Sequence, residues 1–174
     1  MNLAVSAVGR DRPGIVAGLT AVLVEDGGNI DDSQMSRLHG QFAVMLIVSV
    51  PDGTPIEPLR VRLDEAGRAL DLDAVTVCEV SELGRGPEPT HVVTVYGSDR
   101  PGIVHDTAQL MAEREIDITD LKARRTASGE GYLYTLMMEV AIPGDPTELE
   151  QALAGMAAST GVEASLTELE VEVI

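Results

Sequence analysis

Two short runs of this sequence hold residue types that do chemistry at the start of a helix. Asp11-Arg12-Pro13-Gly14-Ile15-Val16 returns unchanged as Asp99-Arg100-Pro101-Gly102-Ile103-Val104, 88 positions later. A carboxylate ahead of a helix accepts hydrogen bonds from the N–H groups that the first turn leaves unpaired, so Asp11 and Asp99 are expected to act as caps. Pro13 and Pro101 suit a first helical turn, since proline has no N–H to lose and a φ that is already helical. Gly14 and Gly102 remove a side chain where something approaches the backbone. The remaining N–H groups, at the positive end of the helix dipole, attract a carboxylate. A capped helix start also serves structure alone. Retention of the whole hexapeptide favours binding, because the second-helix starts, "TPIEPL" and "DPTELE", diverge freely. Arg12 and Arg100 read in two ways: as clamps on a ligand carboxylate, or as solvated neighbours of their own aspartates.

Other reactive constellations are missing from the sequence. His39, His91 and His105 have no sequence-local partner that would make a nucleophile–base pair; His105 lies close enough to the second hexapeptide to touch a ligand there. Ser6 and Ser98 stand outside any nucleophile-elbow motif. Glu25-Asp26 and Asp31-Asp32 do not follow a calcium-loop spacing, and Cys and His residues nowhere take metal-ligand spacing. Neither a metal nor a cofactor is implied. The single cysteine, Cys78, excludes an internal disulfide. Set over Leu169 in the second half, it is expected to be an inert core residue.

The elements that must position these residues follow from composition and repetition. The chain has 174 residues, 44% of them hydrophobic but only 2% aromatic, so its core is aliphatic. Twelve basic residues against 29 acidic give a net charge of −17, which opposes direct binding to nucleic acid or anionic membranes. Any role in gene control would pass through another protein. The N-terminal stretch lacks the basic flank and apolar core of a signal peptide, and the longest apolar run, "FAVMLIV" at 42–48, is too short to span a bilayer. The expected location is cytoplasmic.

At the 88-residue offset the two halves align, apart from four extra residues within 124–133. The chain is therefore expected to hold two copies of one unit, 1–83 and 91–174, joined by a Gly- and Pro-rich linker at 84–90. In the first copy a strand at 3–8 precedes Ile15, Val16, Leu19, Val22 and Leu23, which share one helical face. Gly27-Gly28 stops that helix. Strands follow at 29–38 and 41–50, then a helix marked by Ile56, Leu59, Leu63, Ala66 and Leu70, then a strand at 74–80. The second copy repeats this with strand 91–96, helix 101–114, strands 116–126 and 132–141, helix 146–159 and a strand from about 162. The order βαββαβ predicts an α+β fold, with two ferredoxin-like units whose antiparallel sheets carry both helices on one face. At the C-terminus, Glu168, Glu170 and Glu172 alternate with Leu169, Val171 and Val173. That pattern suits a solvated edge strand, or an edge that pairs between chains.

The hexapeptide, the Gly-Gly-Asn-Ile step at 27–30 and the element order together resemble ACT domains. These are small ferredoxin-like modules that bind amino acids and regulate metabolism. Two tandem copies without a catalytic domain are similar in layout to the glycine cleavage system transcriptional repressor group. The resemblance implies a ligand held where the first strand–helix loop of one domain faces the second strand of a neighbouring domain. Carried over, the site residues are Asp11, Arg12, Pro13, Gly14 and Ile15 with Asn29 and Ile30. In the second copy they are Asp99, Arg100, Pro101, Gly102 and Ile103 with Asp117 and Ile118. The helix start would hold the ligand's carboxylate, and the residue at 29 or backbone oxygens near it would hold the ammonium. Asp117 in place of Asn29 implies that the two sites differ. The resemblance also implies a small amino acid as ligand, with glycine or serine foremost, a regulatory protein partner and a homodimer. Two alternatives stand beside it: a ligand-free interaction scaffold, and an acylphosphatase-like hydrolase using Arg10 and Asn29. Against the hydrolase, Arg10 becomes Ser98 in the second copy and the net charge opposes phosphate.

Overall fold

The computed structural model describes residues 1–129 and 131–170. Alternation decides the first strand. Along β1 (Asn2–Arg10), Leu3, Val5 and Ala7 are buried, while Ala4, Ser6 and Val8 lie on the opposite, more open face. Ile15, Leu19 and Leu23 form the buried stripe of α1 (Ile15–Glu25), and Leu59 and Leu63 that of α2 (Ile56–Ala69). Both stripes pack into one cluster with Leu3, Val5, Leu46 and Val48, so both helices cover the same face of the sheet. The remaining strands are β2 (Asn29–Leu38), β3 (Gln41–Ser49) and β4 (Leu72–Val80). The sheet is antiparallel in the order β2-β3-β1-β4.

The second unit repeats the plan with β5 (His91–Ser98), α3 (Ile103–Ala112), β6 (Asp117–Ser128), β7 (Gly131–Ala141), α4 (Thr147–Thr160) and β8 (Glu163–Glu168). Its sheet runs β6-β7-β5-β8, and its core gathers Val93, Val95, Ile103, Met111, Leu136, Met138, Leu149 and Leu153. The fold is α+β, a βαββαβ unit twice over. By compactness the chain divides into Met1–Leu83 and a part beginning at Gly84. The four extra residues of the second half lengthen one hairpin. β6 and β7 have 12 and 11 residues, against 10 and 9 in β2 and β3.

The stop of α1 is a Schellman cap. Gly27 takes φ 70°, its N–H reaches the Val24 carbonyl at 3.0 Å, and the Gly28 N–H reaches Leu23 at 2.8 Å.

The helix starts differ from expectation. α1 begins at Ile15 and α3 at Ile103, with Gly14 and Gly102 as N-caps and no side-chain cap bond at either. Asp11 and Asp99 do not cap, because the turn sets them too far ahead of the first helical residue. Pro13 and Pro101 lie in the turn before the helix rather than in its first round.

Cys78 is also corrected: it is exposed. It pairs with Ala4 of β1, and residues facing Ala4 belong to the sheet face away from the helices. The residue that pairs with Val92, the counterpart of Ala4, is Thr167, so the equivalence of Cys78 with Leu169 was two residues out of register. The C-terminal strand pattern falls partly on residues 171–174, which lie outside the described residues.

Candidate functional site

Each Asp-Arg-Pro-Gly turn leaves the sheet at the end of its unit's first strand and is tied down twice. The Asp11 N–H donates to the Gly40 carbonyl and the Asp99 N–H to that of Tyr132, both at 2.9 Å, which fixes each turn against the neighbouring hairpin. Each aspartate then pairs with an arginine on the second strand. Asp11 Oδ2 meets Arg37 Nη1 at 3.3 Å, and Asp99 Oδ2 meets Arg125 Nε at 2.7 Å. In the second unit Arg125 also lies over the Tyr132 ring, 3.6 Å from its centroid.

The glycine that follows sets the local chemistry. Gly14 and Gly102 have φ 95° and 96°, in the left-handed region where a Cβ would be strained. This backbone need accounts for the glycine; around Gly14 nothing lies within 4 Å of where a Cβ would stand. The Gly14 carbonyl accepts from the Gly18 N–H at 2.9 Å and the Gly102 carbonyl from that of Asp106 at 2.8 Å. Among the described residues, no protein acceptor takes the N–H groups of Ile15, Val16 and Ala17, or of Ile103, Val104 and His105. Three outward donors at a helix's positive end are what an anion binds.

The two turns part company in their arginines. Arg12 is exposed and has no ion-pair partner among the described residues. Arg100 folds back instead, with Nη1 donating to the Pro101 carbonyl at 3.1 Å and Nη2 to Asp106 Oδ2 at 2.8 Å.

The family model for the ACT domain matches residues 2–77 and again 90–167. The chain belongs to the ACT-domain family. Among its relatives, a UPF0237 protein of Methanopyrus kandleri is 38% identical over 72 residues, 41% of this chain and 80% of that one. The glycine cleavage system transcriptional repressor of Escherichia coli is 25% identical over 169 residues, 94% of this chain and 88% of that one. A crystal structure of an unknown protein from Galdieria sulphuraria superposes with a TM-score of 0.80 at 24% identity, covering 97% of this chain and 98% of that one. It shares the fold.

Within each ACT domain the expected site residues fall into two groups. Asp11–Ile15 stand at one end of the sheet, where Arg10 pairs with Gln41. Asn29 and Ile30 stand at the other, where Asn29 and Asn2 both pair with Ser49. Eight residues of strand separate those ends, about 26 Å. Asp99–Ile103 and Asp117–Ile118 are divided in the same way. One ACT domain therefore does not bring its own two groups together. The Asn29 side chain donates to Asp31 Oδ1 at 3.0 Å, which also accepts from the Ser49 hydroxyl at 3.0 Å. Asp31 sits where the β2–β3 pairing slips between Ile30 and Asp32, and β6–β7 slips at the matching place between Ile118 and Asp120.

Sequence reasoning missed Arg37 and Arg125, the partners of the two aspartates. The signal was present, because they too are 88 positions apart. It also missed a hollow of about 600 Å³ on the open face of the first sheet, lined by Ser6, Val8, Gln34, Ala43, Met45 and Ala74 among others and by none of the expected site residues. Among the described residues no three His, Cys, Asp or Glu side chains gather as metal ligands, and no helix is long and apolar enough to cross a membrane.

Proposed function

We propose that this ACT-domain protein is a non-catalytic regulator that binds a small amino acid at its strand–helix turns. The observation that carries the reading is the pair of left-handed glycines, each followed by three N–H donors without an acceptor among the described residues. Such a cradle suits the carboxylate end of a free amino acid. Residues from the start of β2 or β6, Asn29 and Ile30 or Asp117 and Ile118, complete it by meeting the ammonium end. Since they lie about 26 Å from their own unit's turn, they come from a second domain, which couples ligand binding to domain assembly as a homodimer. Glycine and serine are the first ligands to test, because the Escherichia coli relative is a glycine cleavage system transcriptional repressor. With a net charge of −17, the protein acts on transcription through a protein partner in the cytoplasm rather than by touching DNA.

The test fills the cradle with the protein's own carboxylates. Ala17 and His105 are the exposed third residues of α1 and α3; a glutamate there faces the free N–H groups and favours the helix. Thermal shifts with each of the twenty amino acids should show a ligand for wild type, since a ligand bound only by the folded state raises the melting temperature. The Ala17→Glu/His105→Glu variant should lose that shift while melting no lower than wild type. An undiminished shift in that variant sinks the reading.

A further inference from the structure

The two turns have the same backbone but differ in what stands beside the glycine. At Gly14, open space lies where a Cβ would stand; at Gly102 the same position is 3.7 Å from both carboxylate oxygens of Asp106 and 3.5 Å from Arg100 Nη1. The residue matching Asp106 in the first repeat is Gly18, and the spot its Cβ would take is filled by Leu70, whose Cδ1 lies 2.8 Å away. The first repeat thus holds neither the carboxylate nor, beside its helix start, the space for one. Arg12 remains exposed there, while Arg100 is spent on Asp106 and the Pro101 carbonyl.

We infer that the second repeat closes its own turn with the Arg100–Asp106 pair, so that each chain takes one amino acid, at the turn of the first repeat. The inference rests on the amino-acid reading above and narrows it to a single site. An incoming carboxylate at the second turn meets a fixed carboxylate of the same charge, a helix end whose positive potential Asp106 already offsets, and an arginine already paired. Together these weaken the second turn against the first. Arg100 Nε is buried without an acceptor, so the pose is held by the two partners of its terminal nitrogens and depends on Asp106.

Isothermal titration of the whole chain with glycine, serine and the other amino acids reads the count directly. Wild type should bind one ligand per chain and Ala17→Glu none. Asp106→Ala should bind two, and the Ala17→Glu/Asp106→Ala double variant one again, now at the second turn. Two equivalent sites in wild type, or a single site that persists unchanged in Asp106→Ala, overturns the inference and leaves amino-acid binding standing. Absence of binding in wild type and Asp106→Ala alike overturns both.

Discussion

Asp99 meets Arg125 at 2.7 Å in the second unit as Asp11 meets Arg37 at 3.3 Å in the first. The aspartate of the repeated hexapeptide is thus bound to a repeated arginine on the next strand, and both pairs clamp a strand–helix turn to a hairpin. Each aspartate takes part in an ion pair across the turn, a role quite different from helix capping.

The two clamps should differ in strength. Exposed ion pairs couple by about 0.2–1 kcal/mol. The Asp99–Arg125 pair is shorter and has the Tyr132 ring beneath its guanidinium, so its coupling belongs near the top of that range and that of Asp11–Arg37 near the bottom. Double-mutant cycles with alanine, read by urea unfolding, measure both. A larger coupling for Asp11–Arg37 contradicts the geometry.

The glycines should be needed for their backbone, with no ligand present. A left-handed conformation costs an L-residue roughly 1–2 kcal/mol. Gly14→Ala should therefore destabilise the protein by about that amount although no atom lies near the added methyl, and Gly102→Ala by at least as much. Chemical denaturation of the ligand-free variants provides the check; a neutral Gly14→Ala would mean that the turn adopts another conformation in solution. For the same reason, loss of binding on substituting Gly14 says little about the ligand, which is why the occupancy tests use Ala17 and His105.

The element order was legible because the core strands and helices advertise a face: Leu3, Val5 and Ala7 at period two, Ile15, Leu19 and Leu23 at helical period, whereas β2 is exposed along its whole length and was placed by the turn that joins it to β3. Pairing register was not. A strand's identity fixes which residues alternate but not which neighbour each one meets, so Cys78 could slide by two against Leu169 without breaking any pattern. The turn failed for a different reason. Aspartate, proline and glycine each have a usual place at a helix start, and a left-handed glycine at the cap shifts all three outward by one position or more. The division of the site between opposite sheet ends follows from strand direction alone, since β1 and β2 both run antiparallel to β3 and so point the same way.

At α4 a pH-dependent effect is expected. Asp145 Oδ1 accepts from the Thr147 hydroxyl at 2.6 Å and from the Thr147 N–H at 2.9 Å. The hydroxyl first and the backbone N–H second hold its carboxyl below the ordinary value. A carboxyl depressed in the folded state stabilises fully above its unfolded pKa of about 3.9, and that contribution fades as pH falls through the lower folded value. Asp145→Ala should melt below wild type at neutral pH, and the gap should close in acid. Melting curves between neutrality and strong acid decide it; a gap that stays constant, or widens as acid is added, rules the contribution out.

Cys78 should react as a surface thiol. It is exposed on the open face of the first sheet, among Ala4, Ser6 and Thr76, and a thiol that water reaches is open to a disulfide reagent. A chromogenic disulfide should titrate one equivalent per chain in native buffer, as fast as in denaturant to within about tenfold. The same measurement reports on the hollow beside it, where Val8 is 44% and Met45 54% exposed. A partner or second copy seated on those apolar side chains would cover the thiol and slow the reaction by far more. Native protein that reacts only after denaturant is added would show that this face is covered in solution. Met45→Glu, by placing a charge in the middle of that face, should then restore the rate.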